Sequence, residues 1–99
     1  MADPLNVIWT AESIRNLESI LNYLRTKWTE REVTNFIAKL DKAISLISTR
    51  PNLFRLTKYR QQIRKCVLTK QTSIYYAVGR SEIKIISLFD NRQNPDKLK

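Results

Sequence analysis

The chain has 99 residues, 42% hydrophobic and 27% charged, which fits one domain over residues 1–99 with a packed core. Its one cysteine, Cys66, excludes an intramolecular disulfide and indicates a reducing compartment. Because there is no histidine, zinc sites of the usual type and serine–histidine triads are excluded, and we expect no cofactor. With no signal-like start and no apolar window long enough to span a membrane, we expect a cytoplasmic protein without a membrane partner.

The first half of the sequence predicts a strand followed by two helices. Residues 5–9 are branched and aromatic, which favours a strand, and Thr10 can cap the helix that follows. Apolar residues then recur at steps of three and four as far as Trp28, which predicts an amphipathic helix. Thr29 begins a capping box that starts a second helix, and Pro51 ends it. So short a link predicts an antiparallel helical hairpin.

The second half predicts a three-stranded meander. Residues 63–68, 73–79 and 83–89 are strand-like runs, and their short links are typical of antiparallel neighbours. Residues 52–62 indicate an irregular, basic connection. The predicted fold class is therefore α+β: the helical hairpin packs on one face of an antiparallel sheet of about four strands, to which the N-terminal strand is added.

The net charge of +9 is confined to the second half of the chain. Residues 1–49 hold six basic and six acidic side chains, whereas residues 50–99 hold twelve basic and three acidic ones. Such self-repulsion costs stability, so we predict a polyanion or an acidic protein as partner, with a merely solvated basic face as the alternative. The candidate binding residues are the cations Arg55, Lys58, Arg60, Arg64, Lys65, Lys70, Arg80 and Arg92.

This order of elements resembles the RelE/ParE superfamily of bacterial type II toxin–antitoxin toxins. The resemblance covers nearly the whole chain and implies a toxin that a cognate acidic antitoxin holds inactive, which would account for the basic surface. The segments that carry it most clearly are Trp9-Thr10-Ala11-Glu12, Ile63-Arg64-Lys65, Ile74-Tyr75-Tyr76-Ala77-Val78 and residues 89–95.

Members of this superfamily divide by target. RelE-like members cleave mRNA in the ribosome, whereas ParE-like members inhibit DNA gyrase and are not nucleases. The arginine that nuclease members place before their Ile-Tyr-Tyr-like run is Ser73 here, and no histidine or tyrosine follows Tyr76. We therefore expect a ParE-like toxin of the plasmid-stabilization type. A ribosome-dependent endoribonuclease, with Arg64, Arg92 or Tyr76 as weak catalytic candidates, is the first alternative, and a non-toxic nucleic-acid-binding module is the second.

The sheet face that the helices leave uncovered is the expected surface for target or antitoxin. It should carry Arg64, and Trp9, Trp28 and Cys66 should lie in the core. Tyr75 and Tyr76 are most simply sheet and core residues. Interleaved surface aromatics that would stack bases are not evident, which makes the nucleic-acid module the least favoured function. The cations expected to flank Arg64 are Lys58, Arg60, Lys70 and Arg92.

Overall fold

The computed structural model describes residues 4–58 and 62–91, and this part of the chain forms two helices and five strands in an α+β fold. The predicted fold class is therefore confirmed. In chain order the elements are β1 (Asn6–Trp9), α1 (Ala11–Lys27), α2 (Glu30–Thr49), β2 (Arg55–Leu56), β3 (Ile63–Val67), β4 (Thr72–Val78) and β5 (Glu82–Asp90).

Both helices begin at the predicted threonine caps. The Thr10 hydroxyl oxygen accepts a hydrogen bond from the Ser13 backbone N–H at 3.1 Å, and that of Thr29 accepts one from Glu32 at 3.4 Å. Each bond satisfies a backbone donor that has no partner within its helix. Thr10 also donates its hydroxyl proton to the carbonyl of Ile86 at 2.9 Å, so its side chain joins the start of α1 to strand β5.

The strands form one sheet in the order β1-β5-β4-β3-β2. β1 runs parallel to β5, and every other pair is antiparallel, so the expectation of a purely antiparallel sheet is wrong in this respect. The reason is the long connection between them: β1 and β5 are separated by two helices and the strands β2 to β4, so they are not joined by a tight hairpin turn and can run in the same direction. The sheet also has a fifth strand, because Arg55–Leu56, predicted as irregular, pairs with β3.

A β-bulge in β5 changes which of its residues face the helices. Tyr75 pairs with Ser87 and Tyr76 with Ile85, so Ile86 is the extra residue on β5. Pairing with β1 also ends at Ile85. Beyond the bulge, the backbone N–H of Leu88 donates to the Asn16 side-chain oxygen on α1 at 3.0 Å. The N-cap of α1 thus contacts the bulge residue itself, and Asn16 on α1 contacts the strand two residues beyond it.

The core lies between the helices and one face of the sheet. Cys66 is buried there as predicted, whereas Trp28 is 50% exposed and its predicted core position is wrong. Trp28 is the C-cap of α1, with extended backbone, and so leaves the apolar stripe of the helix. Trp9 is half-buried against the core. The buried apolar side chains are Ile20, Leu24, Val33, Phe36, Leu40, Ile47, Cys66, Ile74, Tyr76, Ile83, Ile85 and Leu88.

Neither helix of the described residues is long and apolar enough to cross a membrane.

Replacing Thr10 with alanine should lower the free energy of unfolding by about 2 kcal/mol, because both the cap and the bond to Ile86 are lost. Thr29→Ala removes a cap alone, on an exposed residue, and should cost about 0.5–1 kcal/mol. Urea denaturation of both variants measures the difference. Equal losses would contradict the role given to the Thr10–Ile86 bond.

Candidate binding surface

The strand register sorts the side chains of the sheet onto two faces. Arg64 pairs with Tyr76, which pairs with Ile85, and this row shares the face of the buried core. The neighbouring row, in which Lys65 pairs with Tyr75 and Tyr75 with Ser87, lies on the opposite face. We call this second face, which the buried core does not share, the open face. Its residues are Asn6, Ile8, Arg55, Ile63, Lys65, Val67, Ser73, Tyr75, Ala77, Glu82, Lys84, Ser87 and Phe89.

Arg64 lies on the helix-facing side of the sheet, so its expected place on the open face is wrong. The side chain is half-buried, and its Nη1 atom donates to the carbonyl oxygen of Phe54 at 2.6 Å. A buried backbone carbonyl needs such a donor, and a charged donor makes a strong hydrogen bond. Arg64 therefore holds the connection between α2 and β2 against the sheet.

Tyr76 secures the same connection from within the core. It is fully buried, and its hydroxyl donates to the carbonyl oxygen of Pro51 at 2.9 Å. The Phe54 ring meets the Tyr76 ring edge-on, with centroids 6.5 Å apart. Burial raises the pKa of Tyr76 to about 12, although the Arg64 cation acts in the opposite direction. The neutral phenol is therefore the form that the fold stabilises.

The open face combines exposed cations with half-buried aromatic rings. Arg55, Lys65 and Lys84 are exposed on it, and the Lys65 Nζ atom lies 6.0 Å from the centroid of the Tyr75 ring. Phe89 is the second half-buried ring of this face, so the expectation that no surface aromatic groups could stack bases is wrong. It also exposes apolar side chains, Ile8 by 42% and Val67 by 62%. A basic surface with apolar and aromatic contact groups is suited to an anionic partner.

The remaining predicted cations do not form one cluster with this face. Lys58 is exposed directly after β2. Lys70 and Arg80 are exposed in the two hairpin turns that flank β4, so they lie at opposite ends of that strand. Arg60 and Arg92 fall outside the described residues.

Lys84 is the functional candidate that sequence reasoning missed. It lies between the buried residues Ile83 and Ile85, and this alternation in the sequence is the signal that places it on the opposite face. Within the described residues, no group of three or more His, Cys, Asp or Glu side chains could hold a metal ion.

Several solved structures share this architecture. A structure of the chromosomal ParDE toxin–antitoxin system of P. aeruginosa has a TM-score of 0.74 at 15% identity, covering 87% of this chain and 95% of that one. The E. coli DinJ–YafQ toxin–antitoxin complex has a TM-score of 0.63 at 9% identity, covering 93% of this chain and 98% of that one. The YoeB dimer of Staphylococcus aureus has a TM-score of 0.61 at 14% identity, covering 88% of this chain and 97% of that one. This chain has the fold of these three structures.

No protein-family model matches the sequence, and no curated protein matches it either. The likeness to these structures, at identities of 9–15%, is one of fold, and fold alone does not specify an activity.

Replacing Tyr76 with phenylalanine should change the pH dependence of stability. Because the pKa of Tyr76 rises from 10.0 to about 12 on folding, its contribution is complete below about pH 10 and is lost as the pH rises towards 12. Tyr76→Phe should lower stability by about 1 kcal/mol at pH 8, through loss of the bond to Pro51, and should flatten the decline above pH 10. Urea denaturation at pH 8 and 11 measures both effects.

The matched control is Tyr75→Phe, which changes a phenol on the open face and should keep the steep alkaline decline. A decline in Tyr76→Phe as steep as in the unmodified chain would contradict this account.

Proposed function

We propose that this chain is the toxin of a type II toxin–antitoxin system and that it acts in the ParE-like way, by inhibiting DNA gyrase until an acidic antitoxin covers it. The shared fold with the toxins of the ParDE and DinJ–YafQ structures supports the first part. The composition of the open face supports the second part, because among the described residues the groups for RNA cleavage are not assembled on it.

Cleavage of RNA by its own 2′-hydroxyl needs a base for that hydroxyl, cations for the charged intermediate and an acid for the leaving oxygen. The open face supplies cations, but Ser73 stands where nuclease members of the resembled superfamily place a strand arginine. Its one carboxylate among the described residues is Glu82. Ser73 pairs with Phe89, which lies at the other end of β5 from Glu82. Ser73 and Glu82 are therefore about 20 Å apart at the usual rise of a strand. This separation is the observation that carries the proposal.

The charges of the open face favour an acidic antitoxin. Within the described residues no ion pair involves Arg55, Lys65 or Lys84, and the one ion pair present joins Arg15 to Glu12 on α1. An acidic, partly disordered segment would neutralise these cations while its apolar side chains cover the exposed aliphatic groups. Since the same face would meet the target, neutralisation would be competitive.

A supercoiling assay with purified gyrase and relaxed plasmid tests the proposal. We expect the chain to block supercoiling, and the double variant Lys65→Glu/Lys84→Glu to lose most of this effect because the charge of the open face is reversed. Lys39→Glu/Lys42→Glu makes the same change of charge on exposed residues of α2 and should remain inhibitory. Unaffected supercoiling at saturating concentration would rule out gyrase as the target.

The ribosome-dependent endoribonuclease is the second candidate, and the contact of Lys65 with Tyr75 beside Arg55 is the observation that favours it. A translating extract decides between the two. Our proposal predicts intact mRNA in the presence of the chain, whereas mRNA cut at the codon in the ribosomal A site, together with unaffected gyrase, would establish the nuclease.

A further inference from the structure

Tyr75 lies among small side chains near the middle of the open face. Across the strands its partners are Lys65 on β3 and Ser87 on β5, and its neighbours on the same face of β4 are Ser73 and Ala77. Serine and alanine side chains end close to the backbone, so they leave room beside the Tyr75 ring. A flat ligand fits such a space better than a bulky branched one.

A second ring is within reach of the same ligand. Phe89 pairs with Ser73, which makes it the diagonal neighbour of Tyr75 across β4 and β5. Diagonal neighbours in an antiparallel pair are about 7–8 Å apart. Two aromatic residues at such a spacing on a sheet surface are the arrangement on which other sheet proteins stack two successive unpaired bases.

Cations lie on both sides of these rings. Lys65 adjoins Tyr75, and Arg55 pairs with Lys65 one strand further out. On the other side Lys84 pairs with Ala77, diagonally from Tyr75. Neighbouring strands are about 4.8 Å apart. An extended ligand that crosses the sheet from β2 to β5 therefore passes these cations over about 14 Å. Such a path provides phosphate contacts next to the stacking positions.

We propose that the open face binds single-stranded DNA, with bases on Tyr75 and Phe89 and phosphates on Arg55, Lys65 and Lys84. The choice of DNA over RNA rests on the proposed function, since gyrase acts on DNA. The toxin then engages gyrase together with its DNA. Paired bases in an intact duplex offer no free faces to the two rings, so single strands are preferred over duplex.

An acidic peptide is the competing occupant, because it too would neutralise the three cations. Polyglutamate represents this occupant and has no aromatic ring to place beside Tyr75, so its affinity would depend on charge and not on the ring. This difference defines the experiment.

Fluorescence anisotropy with the full chain measures binding of a labelled single strand of roughly 12 nucleotides, within the usual site sizes of single-strand binders. The competitors are the same strand as duplex, the same sequence as RNA, and polyglutamate of equal charge. We expect Tyr75→Ala to weaken binding about fivefold or more, and Tyr75→Phe to preserve it because the ring remains. Lys65→Ala should reduce the slope of log affinity against log salt by about 0.7.

Lys39→Ala is the matched control, because it removes an exposed cation from α2 and should change neither affinity nor slope. Thermal unfolding establishes that each variant is folded. Binding that is absent, that is unchanged in Tyr75→Ala, or that polyglutamate displaces as well as DNA does would overturn the inference. A stronger preference for RNA than for DNA would overturn it as well, and would favour the endoribonuclease. If supercoiling is blocked but the single strand is not bound, the inference fails while the proposed function stands.

Discussion

The β-bulge at Ile86 is the constraint on which both faces of the sheet depend. Before it Ile83 and Ile85 face the core; after it Leu88 and Asp90 are buried instead, and Phe89 joins the open face. Strict alternation would have turned Phe89 towards the helices and Leu88 outwards. The bulge is held from α1, through the Thr10 hydroxyl on the Ile86 carbonyl and the Asn16 side chain on the Leu88 amide. The start of the first helix thus determines the composition of a surface on the far side of the sheet.

The two halves of the chain supply different parts of this structure. The charge-balanced half supplies the helices that cover one face, while the basic half supplies β2 to β5 and the cations of the other. Not every cation of the basic half is available to a partner, because Arg64 is used to fix the connection between α2 and β2 through the Phe54 carbonyl. Tyr76 fixes the same connection through Pro51. Because side chains alternate between the two faces of a strand, Arg64 lies on the helix-facing side and its neighbour Lys65 on the open face.

Local signals made most of the fold predictable, whereas the composition of the open face depended on register. The threonine caps, both helices and the three long strands follow from hydrogen-bonding types, apolar spacing and turn residues close in sequence. β2 has only two residues, and its pairing with β3 leaves no periodic signal. The face of Arg64 follows from its pairing with Tyr76, and the place of Phe89 from a bulge held by residues more than 70 positions away. Such long-range contacts leave no pattern within a short stretch of sequence.

The central claim is that the open face is the surface through which the chain acts on its target. Growth of bacteria after induction of the chain, in the absence of an antitoxin, tests it most directly. The account predicts that the unmodified chain and Lys39→Ala/Lys42→Ala arrest growth, and that Lys65→Ala/Tyr75→Ala, expressed and folded to the same extent, does not. Growth that continues with the unmodified chain, or that stops equally with both double variants, would contradict the account.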